Sequence, residues 1–476
     1  MSEAKRMARN AGLLSAARVV SLGLNFVVWI RIARVLSPEG YGEIGFGLAL
    51  VSYFVLVVAL GIDAVGTREV ARDLGRFSDW VADVTSLRLA LAVGAVGLYG
   101  AVLVLLPHAL PYKVVLAALG AQIVARATKL DWAFVAVERV GVIAVREIVT
   151  SVLLLAGVLA FVRQPSDVIV AAIVVGAVPL LATAVDWAVY WRDYGRVRLR
   201  GRRENWRAVL RPALPLAASA LMIEIYTNMD RLMLEAYRPT SDVGLYTAAY
   251  KVATFGLLPT AIIYAVLFPA LSAALGDPAA MRSRARDYAR ALFAFGAPVT
   301  LAAPLLAGPV IEFLYGAPYL PASPALVLLL ANVGVMHLNM SIGMPLMAWN
   351  FQTPYMWTVV AGAVANVILN VLLIPPYGLE GAASATLASE AVVFVALVWL
   401  YRRKVGPTPL GLLPRALAAA LVGAVPGAAW AAYSGWHVLL GIGLSAAGYG
   451  AAAWAFGVVD RSWILALLKR PSGDPQ

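Results

Sequence analysis

Arg18, Arg31, Arg34, Arg126, Lys129, Arg231 and Lys251 all fall within stretches apolar enough to cross a bilayer, as do Glu224, Asp230 and Glu390. A charge at the centre of a membrane helix costs about 2.5–3.5 kcal/mol on insertion scales. A chain carrying so many must pair them or line a wet path with them. A guanidinium in a low-dielectric chamber suits a phosphate, which it grips through two parallel hydrogen bonds. Interior cations modestly outnumber interior anions, so the chemistry expected is passage of an anionic cargo. The seven cations are its candidate contacts. The three carboxylates are candidates for ion coupling, or for gating between states.

Spacing sorts these residues onto helix faces. At 100° per residue, Arg18, Asn25 and Trp29 share one face, and Gln122, Arg126 and Lys129 another. Glu224, Asn228, Arg231 and Glu235 recur at helical intervals, with Asp230 turned aside. The plainer reading is that such groups satisfy one another between packed helices, because buried membrane charges usually pair. For Arg31 and Arg34 it is snorkelling to headgroups. Asn332, His337, Asn339, Asn366 and Asn370 suit helix packing better than cargo contact.

The elements that must hold these residues are membrane helices. The 476 residues are 62% hydrophobic and 13% charged, about half the charge of a soluble domain. About fourteen spans of some 20 residues are expected, from Ala11–Leu36 through Lys113–Val137, Val209–Ala236, Val243–Ala274, Tyr288–Leu314 and Gly381–Tyr401 to Leu410–Tyr433 and Val438–Val459. They leave no room for a sizeable soluble domain. The net charge of +12 concentrates in alternate connections: Arg68–Arg76, Arg192–Arg207, Arg282–Arg290, Arg402–Lys404, and the two ends with Lys5, Arg6, Arg9, Lys469 and Arg470. The positive-inside rule then puts both termini in the cytoplasm, and the charge points to anionic lipid rather than nucleic acid. Arg68–Arg88 reads as a helix on the cytoplasmic face. There is no cysteine, hence no disulfide or thiolate metal site.

Two halves look alike. Leu36-Ser37-Pro38-Glu39-Gly40-Tyr41-Gly42 joins spans one and two, and Arg238-Pro239-Thr240-Ser241-Asp242-Val243-Gly244-Leu245-Tyr246 joins spans seven and eight. Six spans separate them, so the halves are expected to be parallel repeats with a binding site between them. The domains expected are a six-helix bundle over 1–203, a second over 204–404, and two extra spans with a tail over 405–476.

Three passages carry a family resemblance. The first is residues 36–47 with Asp63-Ala64-Val65-Gly66-Thr67-Arg68-Glu69. The second is Leu130-Asp131-Trp132-Ala133-Phe134-Val135-Ala136-Val137-Glu138-Arg139. The third runs from Asp230-Arg231 and Gly244-Leu245-Tyr246 through Asn366 and Asn370 to Ile374-Pro375-Pro376-Tyr377-Gly378-Leu379-Glu380-Gly381. In their order and spacing they resemble the Wzx-type polysaccharide flippases of the multidrug/oligosaccharidyl-lipid/polysaccharide exporter superfamily. The resemblance implies an all-α protein of two six-helix bundles around a central cavity plus two C-terminal helices. It also implies alternating-access movement of an undecaprenyl-diphosphate-linked oligosaccharide across the cytoplasmic membrane. The partners expected are that lipid-linked oligosaccharide, membrane lipids, a coupling proton or sodium ion and a polysaccharide polymerase, with no nucleic acid, metal or cofactor.

Two other readings remain at this point. One is a lipid II or multidrug exporter of the same superfamily, although a cationic cavity speaks against a cationic drug. The other is a membrane-embedded sugar polymerase, ligase or glycosyltransferase. Such an enzyme needs catalytic groups on an outer loop. The outer loops here are short, and the only histidines are His108, His337 and His437, the first and last in turns beside spans.

Overall fold

The computed structural model describes residues 3–197, 199, 203–301, 303–434, 438–461 and 463. Arg198, Arg200, Arg202, His437, Lys469 and Arg470 lie outside them, so the basic loops and tail expected there are described only in part. In chain order the helices are α1 (Glu3–Ala59), α2 (Ile62–Arg72), α3 (Phe77–Leu105), α4 (Leu110–Leu119), α5 (Ala121–Thr128), α6 (Asp131–Ala136), α7 (Val140–Phe161), α8 (Val168–Tyr194), α9 (Arg203–Tyr237), α10 (Thr240–Phe255), α11 (Leu258–Ala273), α12 (Pro278–Leu301), α13 (Ala307–Tyr315), α14 (Ser323–Ala348), α15 (Gln352–Lys404), α16 (Leu413–Ser434) and α17 (Val438–Ala455). Twelve helical stretches among the described residues are long and apolar enough to cross a membrane, making the chain an all-α multi-pass membrane protein.

The expected spans and the observed stretches differ in number because two stretches are double length. α1 would run about 85 Å if straight, nearly three times the hydrocarbon core. It breaks at Ser37 (φ 68°, ψ 168°), the residue before Pro38, where the proline ring excludes the helical conformation. α15 breaks likewise at Gly378 (φ 55°, ψ −129°), just after Pro375 and Pro376.

Other expectations are corrected. Span four, read as one helix, is three pieces, α4 to α6. Spans eight and nine are each split, between α10 and α11 and between α12 and α13. The supposed surface helix over Arg68–Arg88 is α2 followed by a turn and the start of α3, and Arg88 is fully buried.

Compact packing divides the chain into Met1–Gly244 and Leu245–Gln476. α9 packs on α1, α2 and α3 and so belongs to the first unit. The core of this unit joins Ile62, Val65, Phe77, Val81, Trp132, Phe134 and Tyr190. Gly66 of α2 lies flat against the Trp132 ring, where a Cβ would come within 2.6 Å. In the second unit Tyr288, Leu292, Leu346, Trp349 and Tyr401 form the core, and the Trp349 indole donates to the Leu271 carbonyl at 2.8 Å.

One crossing in the first unit is reciprocal. A Cβ on Gly42 would stand 2.0 Å from the Thr240 carbonyl oxygen, and a Cβ on Gly244 would stand 1.9 Å from that of Pro38. The two halves of this contact are one sequence interval apart (240 − 38 and 244 − 42, both 202). The second arm of α1 and the start of α10 therefore meet backbone to backbone, as only glycine permits.

Candidate functional site

The first unit gathers two of the candidate cations, Arg126 and Lys129, around the break in span four. At Lys129 the chain leaves the helical conformation (φ −73°, ψ 130°), which strands backbone groups in an apolar bundle. Side chains from three other helices meet them. Arg88 Nη1 of α3 donates to the Lys129 carbonyl at 3.1 Å, and the Leu130 amide donates to Asp186 Oδ2 of α8 at 3.1 Å. The Trp187 indole donates to the Thr128 carbonyl at 2.9 Å, and Thr67 Oγ1 of α2 to the Trp132 carbonyl at 3.0 Å.

These same charges pair with one another. Asp63 of α2 takes Arg88 on one carboxylate oxygen and Arg126 of α5 on the other. Asp131 takes Lys129 at 2.8 Å and also Arg146 of α7, whose Nε lies 3.1 Å from Asp186 Oδ1. Four cations and three carboxylates thus close a network between α2, α3, α5, α6, α7 and α8. Of the cargo candidates, it brings Arg126 and Lys129 together and occupies both. Arg88 and Arg146, neither singled out from the sequence, are its most buried cations: their side chains are 0% and 7% exposed.

Arg18 stands in different surroundings. Its side chain is 61% exposed, and its Nε lies 3.8 Å from Glu147. It opens onto a pocket of about 330 Å³ between α1 and α7, walled by Ser21, Asn25, Glu147, Thr150 and Ser151 and reaching Arg146 at its edge. Asn25 is held there by hydrogen bonds to the Ser21 carbonyl (2.7 Å) and to Ser151 Oγ (3.0 Å). A cation, a carboxylate, an amide and hydroxyls around one hollow can receive a phosphate or a polyhydroxylated group.

The remaining candidates are spread out. Arg31 reaches the Val162 carbonyl at 3.5 Å, and Arg34 is exposed. On α9 the Asn228 amide donates to Glu224 Oε1 at 2.5 Å, as the helical stripe implies, and Asp230 is buried. Arg231 and Lys251 are half-buried on α9 and α10. Glu235 sits 2.9 Å from each of His108 Nε2, the Tyr112 hydroxyl and the Thr240 hydroxyl. In the second unit Glu390 is buried and accepts from Asn339, which also donates to the Glu390 carbonyl at 3.1 Å. Asn370 donates to Asn366 at 3.1 Å, and His337 lies 3.2 Å from Thr260.

A family model described as "Polysaccharide biosynthesis protein" matches residues 7–275. The probable flippase AglR of Haloferax volcanii is 34% identical over 174 residues, and the probable low-salt glycan biosynthesis flippase Agl15 of the same organism is 25% identical over 169. These alignments cover 34% and 35% of this chain and 35% and 36% of the relatives, so the chain matches about a third of their length. Among solved structures, the lipid II flippase MurJ in an inward closed conformation superposes with a TM-score of 0.69 at 15% identity, covering 93% of this chain and 98% of MurJ. An inward-facing multidrug resistance MATE transporter of the MOP superfamily gives 0.64 at 16% identity, with 80% and 93% covered. These likenesses establish a MOP-type fold.

Proposed function

Because the chain belongs to the polysaccharide biosynthesis protein family, we propose that it is a flippase. In this reading it moves undecaprenyl-diphosphate-linked oligosaccharide repeat units across the cytoplasmic membrane by alternating access, for surface polysaccharide assembly. The observation that carries the reading is the polar pocket beside Arg18, a hollow lined by charged and hydroxyl groups between α1 and α7. Arg18 supplies the cation for the diphosphate, and Ser21, Asn25, Thr150 and Ser151 supply partners for sugar hydroxyls. Arg31, Arg34, Arg231 and Lys251 extend the cationic path, while Arg126 and Lys129 hold the break in span four. Glu224, Asp230 and Glu390 are the groups through which a proton or sodium gradient would act.

The rest of the proposed architecture follows from the same features. If the chain reverses at the breaks at Ser37 and Gly378, the twelve stretches become fourteen spans. The basic connections then fall on the cytoplasmic side with both termini. The reciprocal contact of Gly42 and Gly244 supports two parallel repeats, over 1–203 and 204–404, with 405–476 as an addition. In the second unit an apolar cavity of about 340 Å³, lined by Val252, Phe255, Pro298, Leu306, Leu330 and Ile442, supports a seat for the lipid tail.

The test is Arg18→Glu in a strain that depends on this protein for surface glycan. Loss of one charge-assisted contact, worth about 1.5–3 kcal/mol, lowers export by about tenfold or more while the protein still inserts in the membrane. Normal surface glycan with Arg18→Glu would overturn the assignment of that pocket to cargo.

A further inference from the structure

A second cluster lies about 30 Å along α3 from Arg88, at the other end of the first unit. Its centre is Glu235, whose side chain is 5% exposed. Three groups from three segments converge on the single oxygen Oε1: His108 Nε2 of the α3–α4 turn, the Tyr112 hydroxyl of α4 and the Thr240 hydroxyl at the start of α10, each at 2.9 Å. The His108 ring stacks on Phe46 of α1 with centroids 6.0 Å apart and an interplanar angle of 26°. Its centroid lies 4.3 Å from that of Tyr112. Thr240 does two things at once, because its carbonyl oxygen is also the atom pressed against Gly42. The hydrogen-bond cluster and the backbone crossing therefore share a residue.

The charges around the cluster are mostly acidic or engaged elsewhere. Glu39 and Glu43 project from α1, and Glu43 feels the repulsion of both Glu39 and Glu235. Lys113 of α4 donates to the Val104 carbonyl at 2.9 Å, and Arg238, just past the end of α9, pairs with Asp242 of α10 at 3.1 Å. Arg231 stands one turn before Glu235 on α9. His108 is thus a base in direct contact with Glu235, among three carboxylates.

We propose that His108 and Glu235 form a proton-operated clasp that fastens the α3–α4 turn to α9 and to the start of α10, holding the Gly42–Gly244 crossing closed. A neutral imidazole makes a hydrogen bond to the carboxylate, and a protonated one adds a full opposite charge that turns the contact into an ion pair. Histidine changes charge between about pH 5 and 8. The closed clasp gains from the charged ring, so its stabilisation is present at the acid end of that window and fades as pH rises. The inference does not depend on which cargo the protein carries.

The chain has no cysteine, so Leu110→Cys and Tyr237→Cys introduce a unique pair of labelling sites. These positions are 75% and 50% exposed and sit on the two elements the clasp joins. Spin-label distances across this pair are measured in lipid nanodiscs at pH 5.5 and pH 8. The expected result is one narrow, short distance at pH 5.5 and a longer population that grows about fivefold at pH 8, the factor that loss of one part-exposed ion pair gives. His108→Gln keeps a donor for Glu235 but cannot titrate, so in that background the distributions match at the two pH values. Identical distributions in the protein with His108 intact, or a pH response that survives His108→Gln, overturns the proposal. No transport is measured, so failure of the flippase reading would leave this result standing.

Discussion

Replacing Asp63 by Ala strips two guanidiniums of their shared partner at once. The Arg88 side chain is fully buried, that of Arg126 is 20% exposed, and that of Asp63 is 34% exposed. Removing one member of a buried ion pair costs about 3–5 kcal/mol, because the stranded charge stays in place. The partial exposure of Asp63 puts this case at the lower end, about 3 kcal/mol. At about 2–4 °C per kcal/mol for a unit of this size, the melting temperature in detergent falls by about 6–12 °C. Arg126→Ala is milder, at about 1 kcal/mol, since Asp63 keeps Arg88 and the lost charge was partly in water. The decisive variant is the double, Asp63→Ala with Arg88→Leu. It removes the fully buried one of the two stranded cations and leaves the part-exposed Arg126 without Asp63 and the Lys129 carbonyl short of a donor, the latter a cost of about 1–3 kcal/mol. The double should therefore melt above Asp63→Ala alone. The reasoning fails if Asp63→Ala melts no lower than Arg126→Ala, or if adding Arg88→Leu lowers the melting point further.

Two other substitutions test the backbone. Gly42→Ala and Gly244→Ala each force a methyl against a carbonyl oxygen about 2 Å away, and overpacking of this kind costs about 1–3 kcal/mol. One separation of the two helices relieves both clashes, so the double should cost little more than either single, and additive losses would contradict the shared crossing. Ser37→Val places a β-branched residue at φ 68° and should lower the melting temperature, whereas Ser37→Gly should hold or raise it. Equal behaviour of the two variants would mean that the break is not strained.

The sequence exposed the spans and their interior charges because both are local signals: a run of apolar residues, and a charge that interrupts it. The Glu224–Asn228 bond was legible for the same reason, being one helical turn long. The network at the break in span four was not. Arg88 follows an Arg- and Asp-rich stretch and reads as its last member, while its partners Asp63 and Lys129 lie 25 and 41 residues away. Arg146 meets Asp131 and Asp186 only because α6, α7 and α8 fold together. His108 looked interfacial because Glu235 is 127 residues further on. The passages around Asp63 and around Leu130–Arg139, picked out as family motifs, prove to pack on each other through Gly66, Thr67 and Trp132.

The bent fourth span has a mechanical consequence. A helix interrupted without compensation is a soft joint, because water and neighbouring groups compete for its loose backbone atoms. Here Arg88, Asp186, Trp187 and Thr67 bolt those atoms to four surrounding positions. The elbow at Lys129–Leu130 should behave as a rigid bracket that transmits displacement instead of absorbing it. Compliance in the first unit then belongs to junctions without such bolts, such as Leu60–Gly61 between α1 and α2, where two consecutive residues have positive φ.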